Sequence, residues 1–133
     1  MRFMTIFTEV ERDAPPNQKE IEAMGQLIGE MSKAGVLIRT DGLRHSSRGS
    51  RIRVTDDGRF TITDGPFTES KEVVGGYAII DVKSKEEAIE WTKRFLKVVG
   101  RGQSEVREMY DEAAFDLEAP QQSQGQTPSA GTR

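Results

Sequence analysis

Two periodicities alternate along the chain, a two-residue one in short runs and a 3.6-residue one in two longer stretches. Phe3-Met4-Thr5-Ile6-Phe7 is β-prone with apolar residues on both faces, which predicts a central strand covered on both sides. After Pro15 and Pro16, Asn17 with Glu20 three residues on is a helix start close to a capping box. Ile21, Met24, Leu27, Ile28 and Met31 then form one apolar stripe that Gly35 is placed to end. Val36-Leu37-Ile38 predicts a second strand, and the polar stretch from Thr40 to Ser50 predicts an exposed loop.

Arg51 to Thr55 alternates charged and apolar residues, Asp57-Gly58 signals a tight turn, and Arg59 to Thr63 alternates again, so these segments predict a hairpin. Val73 to Val82 predicts a strand, with Gly75 and Gly76 marking a bulge or close backbone approach near its start. Ser84 with Glu87 opens a second helix whose stripe is Ala88, Trp91, Phe95, Val98 and Val99, and Gly100 closes it. Glu105 to Tyr110 is the last expected strand. Beyond about Leu117 apolar residues almost vanish, and residues 117–133 are expected to be a disordered tail to a domain over 1–116.

That element order predicts an α+β fold, a ferredoxin-like antiparallel sheet with two helices on one face and an added hairpin. Two helices cover only one face of such a sheet, so the other must meet solvent, a ligand or a second copy, and a homodimer is the expected solution.

Composition narrows the chemistry. With 133 residues there is one core to build, and 35% hydrophobic against 31% charged residues suits a heavily solvated surface. No run approaches the roughly 20 apolar residues of a membrane span, and Met1 to Glu9 does not read as a signal peptide, so a cytoplasmic protein that contacts no membrane is expected. The absence of cysteine removes disulfides, thiolate nucleophiles and cysteine-based metal centres. A net charge of −3 without a basic stripe argues against a nucleic-acid partner. No cofactor is expected, and no ligand spacing supports a metal.

Asp64-Gly65-Pro66-Phe67-Thr68-Glu69-Ser70-Lys71-Glu72 concentrates three carboxylates, a lysine, an aromatic ring and a rigid turn between two strands. With Gly75-Gly76-Tyr77, the helix start Ser84 to Ala88 and Glu105-Val106-Arg107, it resembles the DGPF branch of the YCII-related superfamily along most of residues 1–116. The resemblance implies a ferredoxin-like fold pairing into a dimeric α/β barrel, with a cleft where the Asp64 loop meets the sheet. It implies small-molecule binding or processing and, in some members, association with extracytoplasmic-function sigma factors. Certain YCII relatives are thought to use a His-Asp pair in lyase-like chemistry, but the matching stretch here has no histidine. The family's Arg-Pro near the end is also altered, since Arg107 is followed by Glu108.

By strand alternation Arg51 and Arg53 face opposite to Ile52 and Val54, and Glu105 and Arg107 share a face opposite Val106. If both strands belong to one sheet, these charges assemble on its open side as a site for a polar or anionic ligand. Asp64, Phe67, Glu69, Lys71 and Glu72 would complete it from the Asp64 loop, and Tyr77 from the strand start beside that loop. Asp64 or Glu69 is the candidate general base, and His45, the one histidine, is a further candidate, with an exposed loop position as its plainer reading. Three functions are consistent with these residues: a dimeric small-molecule-binding protein, an enzyme doing lyase-like or hydrolytic acid–base chemistry, and a regulatory protein-interaction module.

Overall fold

The computed structural model describes residues 1–111 of the chain, so the expected tail at 117–133 and the boundary at residue 116 lie outside the described residues. The elements are β1 (Arg2–Glu9), α1 (Gln18–Lys33), β2 (Leu37–Gly42), a 3-10 turn (Ser46–Arg48), β3 (Ser50–Val54), β4 (Phe60–Asp64), β5 (Val73–Asp81), α2 (Lys85–Val99) and β6 (Gln103–Glu108). Strands β2-β5-β1-β6 form one antiparallel sheet in that order, with β1 in its interior, and β3-β4 form a separate ribbon. This is the ferredoxin-like α+β arrangement with an inserted hairpin.

Register explains the core. Phe3 lies opposite Ile80, Thr5 opposite Ala78 and Val106, and Phe7 opposite Gly76 and Ser104, so these residues share the face covered by the helices. Phe3 and Ile80 are almost fully buried there with Leu27, Met31, Val36, Val82 and Ala88. Burying each of the two largest stabilises the fold by about 1.5–3 kcal/mol relative to exposure. Ile21, expected in the stripe of α1, lies instead on its exposed side, because the core contact of that helix runs through Leu27 and Met31.

The helix ends follow their sequence signals. The Asn17 side chain accepts from the Glu20 amide at 2.8 Å, and the Ser84 hydroxyl accepts from the Glu87 amide at 3.1 Å. The Glu20 carboxylate does not turn back to close the box, because Arg101 takes it. Gly100 ends α2 in the left-handed conformation at φ 71°.

Two expectations change in detail. The segment read as a loop from Thr40 begins as strand, because Thr40, Asp41 and Gly42 pair with Ala78, Tyr77 and Gly76 at an edge where polar side chains are tolerated. The sheet shared by the Arg51 and Arg107 strands does not form: the hairpin stands apart, so Arg51 and Arg53 are not on the open face with Glu105 and Arg107. The glycine pair behaves as read. The β1–β5 register shifts between Phe7 and Thr8, and a Cβ on Gly76 would come within 2.9 Å of the Asp41 carbonyl.

Candidate functional site

The Asp64 run is first of all a joint. Asp64 accepts from the Ser50 hydroxyl at 2.7 Å, and the Gly65 amide donates to the Gly49 carbonyl at 2.9 Å. The Gly65-Pro66 bond is cis. A Cβ on Gly65 would fall 1.7 Å from the Ser46 carbonyl oxygen, so this glycine is required by close approach. The Phe67 amide then donates to the Ser46 hydroxyl at 3.0 Å. Ser46 in turn gives both its amide and its hydroxyl to Glu11, at 2.6 Å each. These hydrogen bonds, the hydroxyl foremost, hold the Glu11 carboxyl below its ordinary value.

The other residues read from the sequence separate into small local groups. Arg51 stacks on Phe67, its guanidinium carbon 4.1 Å from the ring centroid, and donates to Glu69 and Ser70 at 2.9 and 2.8 Å. Arg53 is exposed on the ribbon and Lys71 on the loop, while Glu72 accepts from the Thr8 hydroxyl at 3.1 Å. Glu105 accepts from Arg107 at 3.3 Å within β6. Tyr77 donates its hydroxyl to Asp41 at 2.6 Å, and Arg39 donates to the same carboxylate at 2.8 Å. The Asp41 carboxyl is lowered accordingly, by the Tyr77 hydroxyl first and Arg39 second. His45 caps the 3-10 turn, with Nδ1 3.0 Å from the Ser47 hydroxyl and Nε2 3.2 Å from Asp13 and 3.6 Å from Glu11.

One of two cavities of similar volume lies on the helix-covered face of the sheet, away from the open face where a site was expected. A cavity of about 530 Å³ opens between α1, α2 and the sheet, walled by Phe7, Met24, Ile28, Leu37, Trp91 and Phe95. Phe7 and Phe95 meet edge to face at 5.2 Å. Ala78 and Gly76, the small residues opposite Thr5 and Phe7, leave room in its floor. Trp91 and Phe95, which the stripe assigned to the core, pack against the core and line this space.

At the edge of that chamber stands a group of charges that the sequence reading missed. Arg101 Nε donates to Glu9 at 2.7 Å, and its NH1 group donates to Glu20 at 3.1 Å and to the Val99 carbonyl at 3.0 Å. All three side chains are less than a third exposed. The two carboxylates, Glu20 first, push the Arg101 pKa further up, so it remains a fixed cation. Its signal was present in Gly100-Arg101-Gly102. Both glycines have positive φ, at 71° and 77°, and a Cβ on Gly102 would strike the Thr8 carbonyl and the Phe7 ring.

Glu9, Glu20 and Arg101 also border a second cavity of about 540 Å³, whose walls add Glu11, Asp13, Arg12, Arg44, His45 and Arg48. An apolar chamber and a polar vestibule therefore share one charged wall. Such a shape has room for an apolar body in the chamber and polar substituents outside it. Among the described residues no cluster of histidine and acidic side chains is arranged to hold a metal ion.

A comparison with protein-family models matches the YCII-related domain over residues 1–112. The chain belongs to the YCII-related family. Among solved structures, it is similar to 5-chloro-2-hydroxyhydroquinone dehydrochlorinase from Burkholderia phenoliruptrix AC1100, in complex with 2,5-dihydroxybenzoquinone. The identity is 15% and the TM-score 0.48, covering 86% of this chain and 98% of that one. A comparison with curated proteins gives no match. No described helix of this YCII-related chain is long and apolar enough to cross a membrane.

Proposed function

We propose that this YCII-related protein is a homodimer that binds a small molecule with an apolar, ring-sized body in the chamber between the helices and the sheet. The observation that carries the reading is the 530 Å³ chamber with its aromatic and aliphatic walls and a charged edge. A pocket needs an apolar volume for affinity and a few placed polar groups for orientation. The Phe7, Trp91 and Phe95 rings supply the first, and Glu9 and Arg101 supply the second. The dimer reading rests on the sheet face opposite the helices, where Met4, Ile6, Tyr77 and Ile79 share a side and are half-buried among the described residues.

The chain has one tryptophan, and it lines the chamber, so its fluorescence reports occupancy. Titration with phenols, aromatic carboxylates and their aliphatic counterparts is expected to perturb that emission for one class, with a thermal shift in parallel. Ligand at 100 times its dissociation constant adds about 2.7 kcal/mol of stability. Ala78→Phe, which fills the floor, is expected to abolish the response, and Asp64→Ala and Arg53→Ala to retain it. A ligand whose binding survives Ala78→Phe and fails in Asp64→Ala sinks the chamber and restores the Asp64 loop as the site.

A second reading, acid–base catalysis at the vestibule, is favoured by one observation, the His45 ring set between Asp13 and the Ser47 hydroxyl. Under that reading His45→Gln keeps ligand binding and loses turnover. Equal turnover in wild type and variant would remove it. The carboxylates with displaced pKa values, Glu11, Asp41 and Asp57, are all lowered, which suits hydrogen-bond acceptors better than proton donors.

A further inference from the structure

The hairpin turns its apolar side outward. Register places Ile52 opposite Ile62 and Val54 opposite Phe60, so these four side chains share one face of the ribbon, with Arg51, Arg53, Thr61 and Thr63 on the other. Ile52, Val54, Phe60 and Ile62 are 68%, 61%, 69% and 68% exposed. The polar face is the one that engages the rest of the chain, through Arg51 on Phe67, Glu69 and Ser70. A soluble two-layer protein does the reverse, docking the apolar face and hydrating the polar one.

Exposed to that extent, four large apolar side chains offer roughly 400–500 Å² of contiguous apolar surface, at the upper end of what a monomer shows. An isolated two-stranded ribbon is marginal in water, so this one needs a cover.

We propose that the hairpin is an exchange arm, laying its Ile52/Val54/Phe60/Ile62 face on the open sheet face of a second copy of the chain. Two features select a second copy over another partner. The chain itself carries a second apolar strip on the sheet face away from the helices, half-buried among the described residues: Met4 and Ile6 on β1 with Ile79 on β5, rimmed by Arg39, Asp41, Glu105 and Arg107. A two-fold arrangement that sets each arm on the other sheet covers both surfaces twice with one contact type. The areas agree with this, because a stable interface needs about 800 Å² per partner and the arm alone supplies roughly half. The half-buried sheet strip and its charged rim add to that area. The proposal rests on the homodimer reading and adds the arm to it.

The test uses the absence of native cysteine. Single-cysteine chains at hairpin positions 54 or 62 (Val54→Cys, Ile62→Cys) are mixed in pairs with chains carrying Met4→Cys or Ile79→Cys, then oxidised mildly, and light scattering gives the oligomeric state of the unmodified protein. A disulfide-linked product that requires both members of a pair supports the exchange. Phe60→Asp, at an exposed position that leaves the protomer core intact, is expected to weaken dimerisation by about 30-fold or more, as for a central anchor residue. A dimer that gives no mixed product in any of the four pairings, or is unmoved by Phe60→Asp, overturns the arm and leaves the homodimer standing. A monomer at all concentrations overturns both.

Discussion

Gly65→Ala tests whether the Asp64 run works as a joint. The new methyl carbon would sit 1.7 Å from the Ser46 carbonyl oxygen and 2.6 Å from its carbon, and both atoms are backbone. Contacts below about 3 Å are not tolerated, so the 3-10 turn and the loop must part by more than an ångström. That movement breaks the Phe67 amide bond to the Ser46 hydroxyl and the Gly65 amide bond to Gly49. Each of the two lost bonds costs about 1 kcal/mol, and overpacking adds about 1–3, so the expected destabilisation is about 3–5 kcal/mol. In a domain of this size that lowers Tm by roughly 10–20 °C. Urea denaturation followed by circular dichroism measures it. Gly25→Ala is the control: its Cβ meets nothing within 4 Å on an exposed face of α1, and it is expected to stabilise by about 0.5–1 kcal/mol. A Gly65→Ala protein within 0.5 kcal/mol of wild type would refute the reasoning, since no relaxation that keeps the joint closed accommodates that methyl group.

Two further predictions concern charge. Arg101→Met leaves Glu9 and Glu20 without their shared cation at the chamber edge and is expected to cost about 2–3 kcal/mol. Adding Glu20→Gln should recover part of it in a double-mutant cycle, and strict additivity would deny the coupling. For Glu11 the sign is that of a carboxylate lowered from 4.5 in the folded state: its contribution is present above that pH and is lost as pH falls through the lower folded value. Urea midpoints of wild type and Glu11→Gln are therefore expected to converge with acidification below pH 4.5, and parallel curves would show that Ser46 does not hold the ionised form.

Much of the architecture was legible because its signals are local and mutually consistent. The caps at Asn17 and Ser84, the Gly100 stop and the Asp57-Gly58 turn each rest on neighbours in sequence, and alternation gave the strands. The glycine pair at 75 and 76 was readable as a bulge for the same reason. The site was less legible, because what builds it is not periodic. Arg51 and Arg107 each alternate correctly within their own strands, but alternation says nothing about whether two strands share a sheet. Glu9, Glu20 and Arg101 come from three separate elements, and only the tertiary fold shows that one guanidinium serves both carboxylates. Trp91 and Phe95 met the helical stripe rule and could not disclose from it that one side of the stripe borders a void.

The position of the Asp64 run links these two levels. Its most polar members already have partners within the chain: Asp64 with Ser50, Glu69 with Arg51 and Glu72 with Thr8. These exposed carboxylates are already solvated or paired, so a ligand gains little net free energy there, whereas the chamber presents apolar wall that gains by being covered. The run instead fixes Ser46, Ser46 fixes Glu11, and Glu11 lies on the vestibule wall beside His45 and close to the Arg101 group. Disturbing the loop therefore reaches the vestibule through named hydrogen bonds while leaving the Phe7, Trp91 and Phe95 walls in place. Under the proposed binding function, loop substitutions would act mainly on the polar end of a bound molecule and chamber substitutions on its apolar body.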